Sequence, residues 1–364
     1  MSELNNNTES TVKSEASNAM DNVISEEAGS DENNHDDIKV GSFPSESFEQ
    51  AVELANRLKD NVNRALIGQE ETVEMALTCL IAAGHLLIEG VPGLGKTLLV
   101  RSIAKSFDGE FSRIQFTPDL MPSDVTGHAM FDPKSEKFRL RKGPAFTNLL
   151  LADEINRAPA KTQSALLEVM QEKKITIEGK SHPVSDPFMV LATQNPLEQE
   201  GTYPLPEAEL DRFLMNVHIG YPDLKDEVKL VKILTEGEVD DSALMREIEA
   251  ITSPESILQL QKVAANIKVD DSLFEYAVNI VAASRDWSGV QMGASPRASI
   301  ALIRAARALA LVRGSDFISP DEIKSVALPV LRHRIVLSAE LEIEGISITQ
   351  VISDLLAQVA APRE

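Results

Sequence analysis

Residues 90–97 have the residue types and the spacing of a phosphate-binding loop, G-x-x-x-x-G-K-[ST]. In order they are Gly90, Val91, Pro92, Gly93, Leu94, Gly95, Lys96 and Thr97. Glycines let the backbone wrap around phosphate oxygens, and the loop N–H groups and the following helix N-terminus supply positive partial charge. The Lys96 ammonium would reach the β- and γ-phosphates, and the Thr97 hydroxyl would hold Mg²⁺. The pattern predicts a nucleoside triphosphate bound with Mg²⁺.

The segments on both sides of this loop have the periodicities that the motif requires. The apolar run at residues 86–88 predicts a short buried strand before the loop. After it, Leu99, Ile103 and Phe107 recur at i, i+4 and i+8, which is one face of a helix. A strand, a glycine loop and a helix in this order favour a phosphate site over a glycine-rich turn with a chance lysine.

A second apolar run, residues 148–154, ends in two carboxylates, Asp153 and Glu154. Two acids at the end of a buried strand are costly unless a cation or a water molecule needs them. We expect Asp153 to bind Mg²⁺, directly or through water, and Glu154 to polarise the attacking water as general base. The alternative is a solvated turn, which the strongly apolar run disfavours.

A third run, residues 188–193, is followed by Gln194 and Asn195. The Asn195 amide could orient the lytic water, although simple turn chemistry before Pro196 is an alternative. Ligands of α/β sheets bind at the carboxyl ends of the strands. The ends of these three strands are therefore expected to converge on one site.

Seven short segments follow one another in an order that resembles the MoxR family of AAA+ ATPases. They are residues 66–69, 90–97, 115–124, 153–158, 192–196, 201–213 and 293–298. The resemblance extends from about residue 47 to the C-terminus, and the segments together are far more specific than any one alone. Glu209 departs from the family, which more often has Gln there, and it adds a negative charge three residues before Arg212.

The resemblance implies the fold class and the division into domains. It implies an α/β nucleotide-binding core with a parallel sheet at residues 46–221, followed by a smaller all-helical lid domain at residues 222–364. Ile67 and Gly68 would lie against the adenine of ATP. Alternating residues at 127–142, and two short strands around a glycine turn at 174–184, predict two hairpins. In the family such hairpins face a ring pore, whereas surface hairpins without a role are the alternative.

The resemblance also gives roles to arginines outside the nucleotide motifs. Arg212 would face the γ-phosphate bound by the neighbouring subunit, where an arginine supplied in trans raises phosphoryl-transfer rates by roughly 10³–10⁵. Arg297, at the start of a lid helix, would touch phosphate in cis, and Arg157 would also lie at the subunit interface. The alternative for Arg212 and Arg297 is a surface salt bridge worth about 0–1 kcal/mol.

A member of this family would be an ATPase that forms a homo-oligomeric, hexameric ring. The implied work is chaperone-like remodelling or metal-site maturation of a client protein, with a von Willebrand factor A-domain protein as a possible partner. Two alternatives remain: a nucleotide-gated assembly switch with little turnover, and a nucleic-acid motor. The magnesium chelatase ATPase subunit is a near relative, but residues 156–158 look more like MoxR.

The composition of the chain argues against nucleic acid as a partner and against a membrane-spanning segment. The 364 residues carry a net charge of −22, and clustered Lys and Arg for a phosphate backbone are not evident. Nucleic acid is therefore not expected. No run approaches eighteen apolar residues and no signal peptide precedes the folded part, so we expect no membrane segment and a cytoplasmic protein.

The first 45 residues differ in composition from the rest of the chain. Residues 1–44 contain ten acidic residues and two lysines, with almost no aromatic side chains. Such a segment cannot bury enough apolar surface to fold, so we predict that residues 1–45 are disordered. A solubilising tail is favoured over a binding arm, for which the segment has no motif.

Other local patterns predict structure rather than chemistry. Cys79 lies in an apolar helical pattern and His85 precedes the first buried strand, so both are expected to be structural. Beyond residue 222 we predict helices throughout. Helix starts are expected at Ser253, at the capping box of Ser319, and at Thr349.

Overall fold

A parallel β-sheet forms the centre of the protein, with the predicted strands at residues 86–88, 148–154 and 188–193 inside it. The computed structural model describes residues 45–91, 93–134, 136–195, 202–235 and 242–362. The predictions for residues 1–44, Pro92 and residues 196–201 lie outside these ranges. The strands are β1 (Leu86–Glu89), β2 (Phe111–Gln115), β3 (Gly127–Asp132), β4 (Lys137–Lys142), β5 (Leu149–Asp153), β6 (Lys174–Ile177), β7 (Lys180–Pro183), β8 (Met189–Gln194), β9 (Met215–His218), β10 (Val290–Met292) and β11 (Val336–Leu337).

The order of strands in the central sheet is β2-β5-β8-β1-β9, and all neighbouring pairs are parallel. Consecutive residues of these short apolar strands face opposite sides of the sheet. Leu149 and Leu151 pack into the core on one side, while Leu150 and Ala152 pack into the core on the other. The runs are therefore continuously apolar because both faces of the sheet are covered.

Helices cover both faces of the sheet and form the C-terminal part. They are α1 (Ser45–Asn63), α2 (Glu70–Ile81), α3 (Lys96–Ser106), α4 (Pro122–Thr126), α5 (Ala160–Glu172), α6 (Glu207–Leu210), α7 (Leu224–Thr235), α8 (Ser242–Arg246), α9 (Pro254–Ala265), α10 (Asp271–Ala283), α11 (Pro296–Arg313), α12 (Pro320–Leu331), α13 (Ala339–Ile343) and α14 (Ile348–Gln358). A 3₁₀ turn at Ile155–Arg157 follows β5. The first helix begins at Ser45, so it includes the last residue of the segment predicted to be disordered.

The α/β part and the helical part share one hydrophobic core. That core joins alternate residues of β1 and β5 to apolar faces of α1, α2, α3, α11 and α12. Ala and Leu dominate the buried positions of α11, which lets it pack closely against several neighbours. The predicted parallel sheet and helical lid are both present, and the boundary between residues 221 and 222 remains a prediction.

Both predicted hairpins are present. Strands β3 and β4 pair antiparallel from Gly127–Lys142 to Asp132–Lys137, and β6 pairs with β7 around the turn at Glu178 and Gly179. The first hairpin carries apolar side chains into solvent, with Phe138 73% exposed. The single chain does not test the predicted position of these hairpins at a ring pore, which remains a prediction.

The C-terminal part corrects two predictions. It is not helical throughout, because β10 and β11 form a small antiparallel pair. The last helix begins at Ile348, where the Ser347 hydroxyl accepts the Gln350 N–H, and not at Thr349. The capping box of Ser319 with Glu322 is confirmed, as is the helix start after Ser253. Within the described ranges, no helix is long and apolar enough to cross a membrane.

Candidate functional site

A cavity of about 410 Å³ lies at the carboxyl edge of the sheet. One wall is polar and holds the acid pair, the end of β8 and the phosphate loop from Gly93 to Thr97. The other wall is apolar, and its residues are Ala65, Leu66, Ile67, Leu230, Leu234 and Leu244. A polar cradle opposite an apolar slot suits a ligand with a phosphate end and a flat aromatic end.

The phosphate loop connects β1 to α3, as its flanking periodicities predict. Gly93 and Gly95 have φ angles of +87° and +77°, a left-handed conformation that glycine adopts at little cost. The added Cβ of a larger residue would meet nothing within 4 Å at Gly93, so backbone conformation rather than space requires this glycine. Gly95 caps α3, whose first residue is Lys96, and the helix N–H groups therefore point into the cavity.

Lys96 lies between the loop and the acid pair. Its ammonium donates a hydrogen bond to the Gly90 carbonyl. Burial lowers the pKa of Lys96, while the carboxylates of Asp153, Glu154 and Glu89 act in the opposite direction. A partly desolvated ammonium next to loop N–H groups interacts more strongly with phosphate than an exposed one, because water screens the charges less.

Thr193 organises the acid pair. Its hydroxyl donates to Asp153 Oδ1 at 2.6 Å and accepts the Glu154 N–H at 2.9 Å. This contact follows from the sheet order, since β5 and β8 are neighbours. The second oxygen of Asp153 accepts from Arg113 of β2 at 2.6 Å. The Asp153 carboxylate is thus oriented by side chains from the strands on either side of β5, and the main chain of Glu154 is held by Thr193 of β8.

Glu154 is held in an unusual backbone conformation. Its φ of +54° and ψ of +51° lie in the left-handed region, where residues other than glycine are uncommon. Its carboxylate accepts a hydrogen bond from Arg157 at 2.7 Å, three residues along the 3₁₀ turn. The turn directs the carboxylate of Glu154 towards the cavity, and Arg157 is its ion-pair partner in the single chain.

Asn195 follows β8, is 8% exposed and lines the same cavity. The three strand ends therefore meet at one place, as expected from the position of ligands in α/β sheets. Ile67 also lines the cavity. Gly68 adopts a φ of +72° beside it, and Gln69 donates to the Gly220 carbonyl at 2.9 Å, which ties this turn to the end of the α/β part.

The residues predicted to hold Mg²⁺ have suitable chemistry. The Thr97 hydroxyl and the Asp153 carboxylate line one cavity. Mg²⁺ takes oxygen ligands and usually combines one or two protein groups with water and substrate phosphates. A carboxylate can accept about four hydrogen bonds, so Asp153 keeps capacity beyond its contacts with Thr193 and Arg113. In the described part of the chain, no cluster of three or more His, Cys, Asp or Glu could hold a metal ion.

Arg212 and Arg297 lie elsewhere, together, in a second cavity of about 420 Å³. Lys173, Arg304 and Arg334 also line it, and Asp211 is the one carboxylate among its described lining residues. No described residue of the loop at 90–97 lines this cavity. Helix α11 starts at the second cavity, where the Ser295 hydroxyl donates to Asp211, and the contact of Arg297 with phosphate of its own chain remains a prediction.

No sequence pattern indicates a role in the site for Arg113, Thr193 or Arg334. Arg113 had one signal, a charged residue two positions before the end of a strand beside β5. Thr193 ends the apolar run of β8, but its bond to Asp153 depends on the sheet order. Cys79 and His85, both expected to be structural, have buried side chains.

Comparisons with known proteins identify the family of this chain. Residues 85–215 match the family described as ATPase family associated with various cellular activities (AAA), and residues 282–355 match the AAA lid domain. The chain is 45% identical over 327 residues to Chaperone MoxR1 of Mycobacterium tuberculosis, covering 87% of this chain and 85% of that protein. The chain belongs to the MoxR family of AAA+ ATPases.

Two further proteins are similar to this chain along most of its length. YeaC of Bacillus subtilis, described as uncharacterized, is 44% identical over 309 residues, which is 85% of this chain and 95% of YeaC. The crystal structure of a candidate ATPase from Cytophaga hutchinsonii is 40% identical with a TM-score of 0.81, covering 88% of this chain and 98% of that one. The AAA match includes the phosphate loop, the acid pair and Arg212, and the lid match includes Arg297 and Arg334.

Proposed function

We propose that this MoxR-family protein hydrolyses ATP in the first cavity and forms a ring in which each subunit completes its neighbour's site. The observation that carries the proposal is the acid pair, which Thr193 orients across one cavity from Lys96 and Thr97. A binding site alone would need the loop and a magnesium ligand such as Asp153, but not the carboxylate of Glu154, which Arg157 holds beside them.

Five side chains of the first cavity have distinct parts in the proposed reaction. Lys96 and the loop N–H groups neutralise and orient the β- and γ-phosphates. Water attacks the γ-phosphorus, Glu154 accepts the proton of that water, and the bond to the ADP oxygen breaks. Mg²⁺ would be held by Thr97 and, directly or through water, by Asp153. It would neutralise charge on the phosphate oxygens. Asn195 would orient the water.

The second cavity supplies the proposed contribution in trans. Arg212 and Arg297 face the same cavity, apart from the phosphate loop of their own chain. We propose that both act on the nucleotide of the neighbouring subunit, which changes the role of Arg297 from cis to trans. A head-to-tail contact of this kind closes into a ring, for which we propose a hexamer.

Chaperone-like work on a client protein is the proposed use of the ATP. The support is the 45% identity to a relative named as a chaperone, together with the resemblance of the hairpins to those that face a ring pore. A von Willebrand factor A-domain protein remains the proposed type of partner. A nucleotide-gated switch with little turnover is the alternative that a steady-state ATPase assay distinguishes.

Complementation between two inactive variants tests the proposal. Arg212→Ala keeps its own Glu154, and Glu154→Gln keeps its own Arg212, so each should bind ATP and hydrolyse it poorly. At a one-to-one ratio, about a quarter of the interfaces in a randomly mixed ring join an intact Glu154 to an intact Arg212. We expect activity to return in the mixture.

The mixture must be formed under conditions where subunits exchange, shown independently by fluorescence transfer between labelled subunits. Activity that stays flat at every ratio, with exchange demonstrated, would refute the trans assignment of Arg212. It would leave the assignment of the phosphate loop and the acid pair unaffected. Lysine in place of Arg212 is a useful matched variant, because it keeps the charge but loses the planar, bidentate guanidinium.

A further inference from the structure

Arg334, just after α12, makes four of its five guanidinium hydrogen bonds to residues 211–214, the segment that contains Arg212. The side chain is 3% exposed, and all five guanidinium N–H groups have partners. Nε donates to Asp211 Oδ1 at 2.6 Å. Each terminal nitrogen donates twice to carbonyl oxygens, which belong to Asp211, Phe213, Leu214 and Val330.

These contacts hold the backbone on both sides of Arg212. The Asp211 carbonyl accepts from Nη2 at 3.3 Å, and the Phe213 carbonyl accepts from the same nitrogen at 2.6 Å. His333 lies 3.1 Å from the Phe213 carbonyl as well. Arg212 itself lines the second cavity with its side chain only partly buried, so the contacts fix its main chain and leave its guanidinium accessible.

Asp211 extends the contact to the lid helix that carries Arg297. Its second oxygen, Oδ2, accepts the Ser295 hydroxyl at 2.9 Å. The same hydroxyl oxygen accepts the Arg297 N–H at 3.3 Å, which is the N-cap of α11. We name the set of Arg334, Asp211 and Ser295 the arginine clamp. It connects three parts of the chain that lie far apart in sequence.

We propose that Arg334 is a positioning residue for Arg212 and Arg297. Through the arginine clamp it fixes the backbone around the first and the helix start that carries the second, so that both guanidinium groups face one neighbour together. This role rests on the proposed function, because it has a purpose only if the two arginines act on ATP in another subunit. Lysine could not replace Arg334, since its three donors cannot reach this planar set of acceptors.

Asp211→Asn tests the clamp while keeping the size of the side chain. We expect the affinity for the fluorescent analogue mant-ATP to stay unchanged, because the first cavity is untouched. Turnover should fall by about tenfold or more, since small misplacements of a group acting on a transition state are costly. The decisive readout is complementation. Mixed with Glu154→Gln, which supplies intact arginines, Asp211→Asn should regain activity; mixed with Arg212→Ala it should not.

Ser295→Ala is a second, milder variant in case Asp211→Asn does not fold, and it should show the same pattern of complementation. Ser347→Ala is its matched control. The Ser347 hydroxyl caps α14 by accepting the Gln350 N–H at 3.2 Å and belongs to no contact of the clamp. We expect Ser347→Ala to keep wild-type turnover, so that loss of a helix cap alone does not explain the effect.

Two results would overturn the positioning role. One is wild-type turnover in Asp211→Asn and in Ser295→Ala. The other is a defect that Glu154→Gln does not complement, although Glu154→Gln complements Arg212→Ala, because the clamp would then serve only the fold of its own chain. Failure of Arg212→Ala and Glu154→Gln to complement each other would instead refute the proposed function, and that pair is measured separately.

Discussion

The fold holds His85 in its neutral form, and acidification should therefore reduce the stability of the protein. The ring is 7% exposed and packs edge-on against Phe188. Nδ1 accepts the Val190 N–H at 3.0 Å, and Nε2 lies 3.1 Å from the Met170 carbonyl. One nitrogen must accept and the other must donate, which only the neutral imidazole does. A protonated ring would set two donors against each other at Val190.

The size of this loss in the free energy of unfolding follows from the pKa of His85. Burial lowers the pKa of His85 to about 4, and the bond to the Met170 carbonyl offsets this only in part. The ordinary value is about 6.5, so between these values the unfolded chain binds a proton that the folded chain does not. The contribution of His85 to stability is complete above about pH 6.5 and is lost as the pH falls towards 4. With about 1.36 kcal/mol per pKa unit, the loss is about 2 kcal/mol at pH 5 and about 3 kcal/mol at pH 4.

Urea unfolding followed by circular dichroism at about pH 8 and about pH 5 measures this effect. Between these conditions we expect the unfolding free energy of the wild type to fall by about 2 kcal/mol more than that of His85→Gln. His128→Gln, at an exposed position, is the matched control and should keep the wild-type pH dependence. Burial also lowers the pKa of His333, but this residue is present in all three proteins and cancels in the comparison.

The comparison concerns the pH dependence and not the stability at one pH, so a general destabilisation by the substitution does not affect it. Equal losses in wild type and His85→Gln would show that His85 is not held neutral in the folded protein. They would also contradict the assignment of Nδ1 as the acceptor from Val190 in β8 and of Nε2 as the donor to Met170 in α5.

Three further predictions concern the proposed activity. Lys96→Ala should abolish ATP binding, whereas Glu154→Gln should bind ATP and lose about 10²–10⁴ in turnover, as expected for a general base; near wild-type turnover would exclude Glu154 from that role. An ATP analogue should drive assembly at micromolar concentration in light scattering, and protein that stays monomeric would contradict the ring. Deletion of residues 1–44 should leave turnover within about tenfold, or about 1.4 kcal/mol of barrier, and a larger drop would give that segment a role beyond solubility.

Local sequence patterns correctly predicted the structural features that depend only on neighbouring residues. The phosphate loop, β1 and the start of α3 lie within about a dozen positions. The apolar run, the glycines and the helix start that predict them all lie in that short segment. The two hairpins and the capping box of Ser319 are equally local, and they appear as predicted. The same local reasoning missed β10 and β11, because these short strands pair across more than forty positions and each alone has no strand signal.

The phosphate loop, the acid pair at a strand end and the resemblance to one family can be read from the amino-acid sequence, since each is a pattern of residue types at short spacing. Which side chains contact one another depends on how the strands and helices pack. Thr193 reaches Asp153 because β8 lies beside β5, and Arg334 reaches Asp211 across 123 positions because α12 packs against the sheet edge. Arg297 faces the second cavity for the same reason. The order of strands and the docking of helices depend on burying both faces of the sheet at once, which is a property of the whole chain and of no single segment.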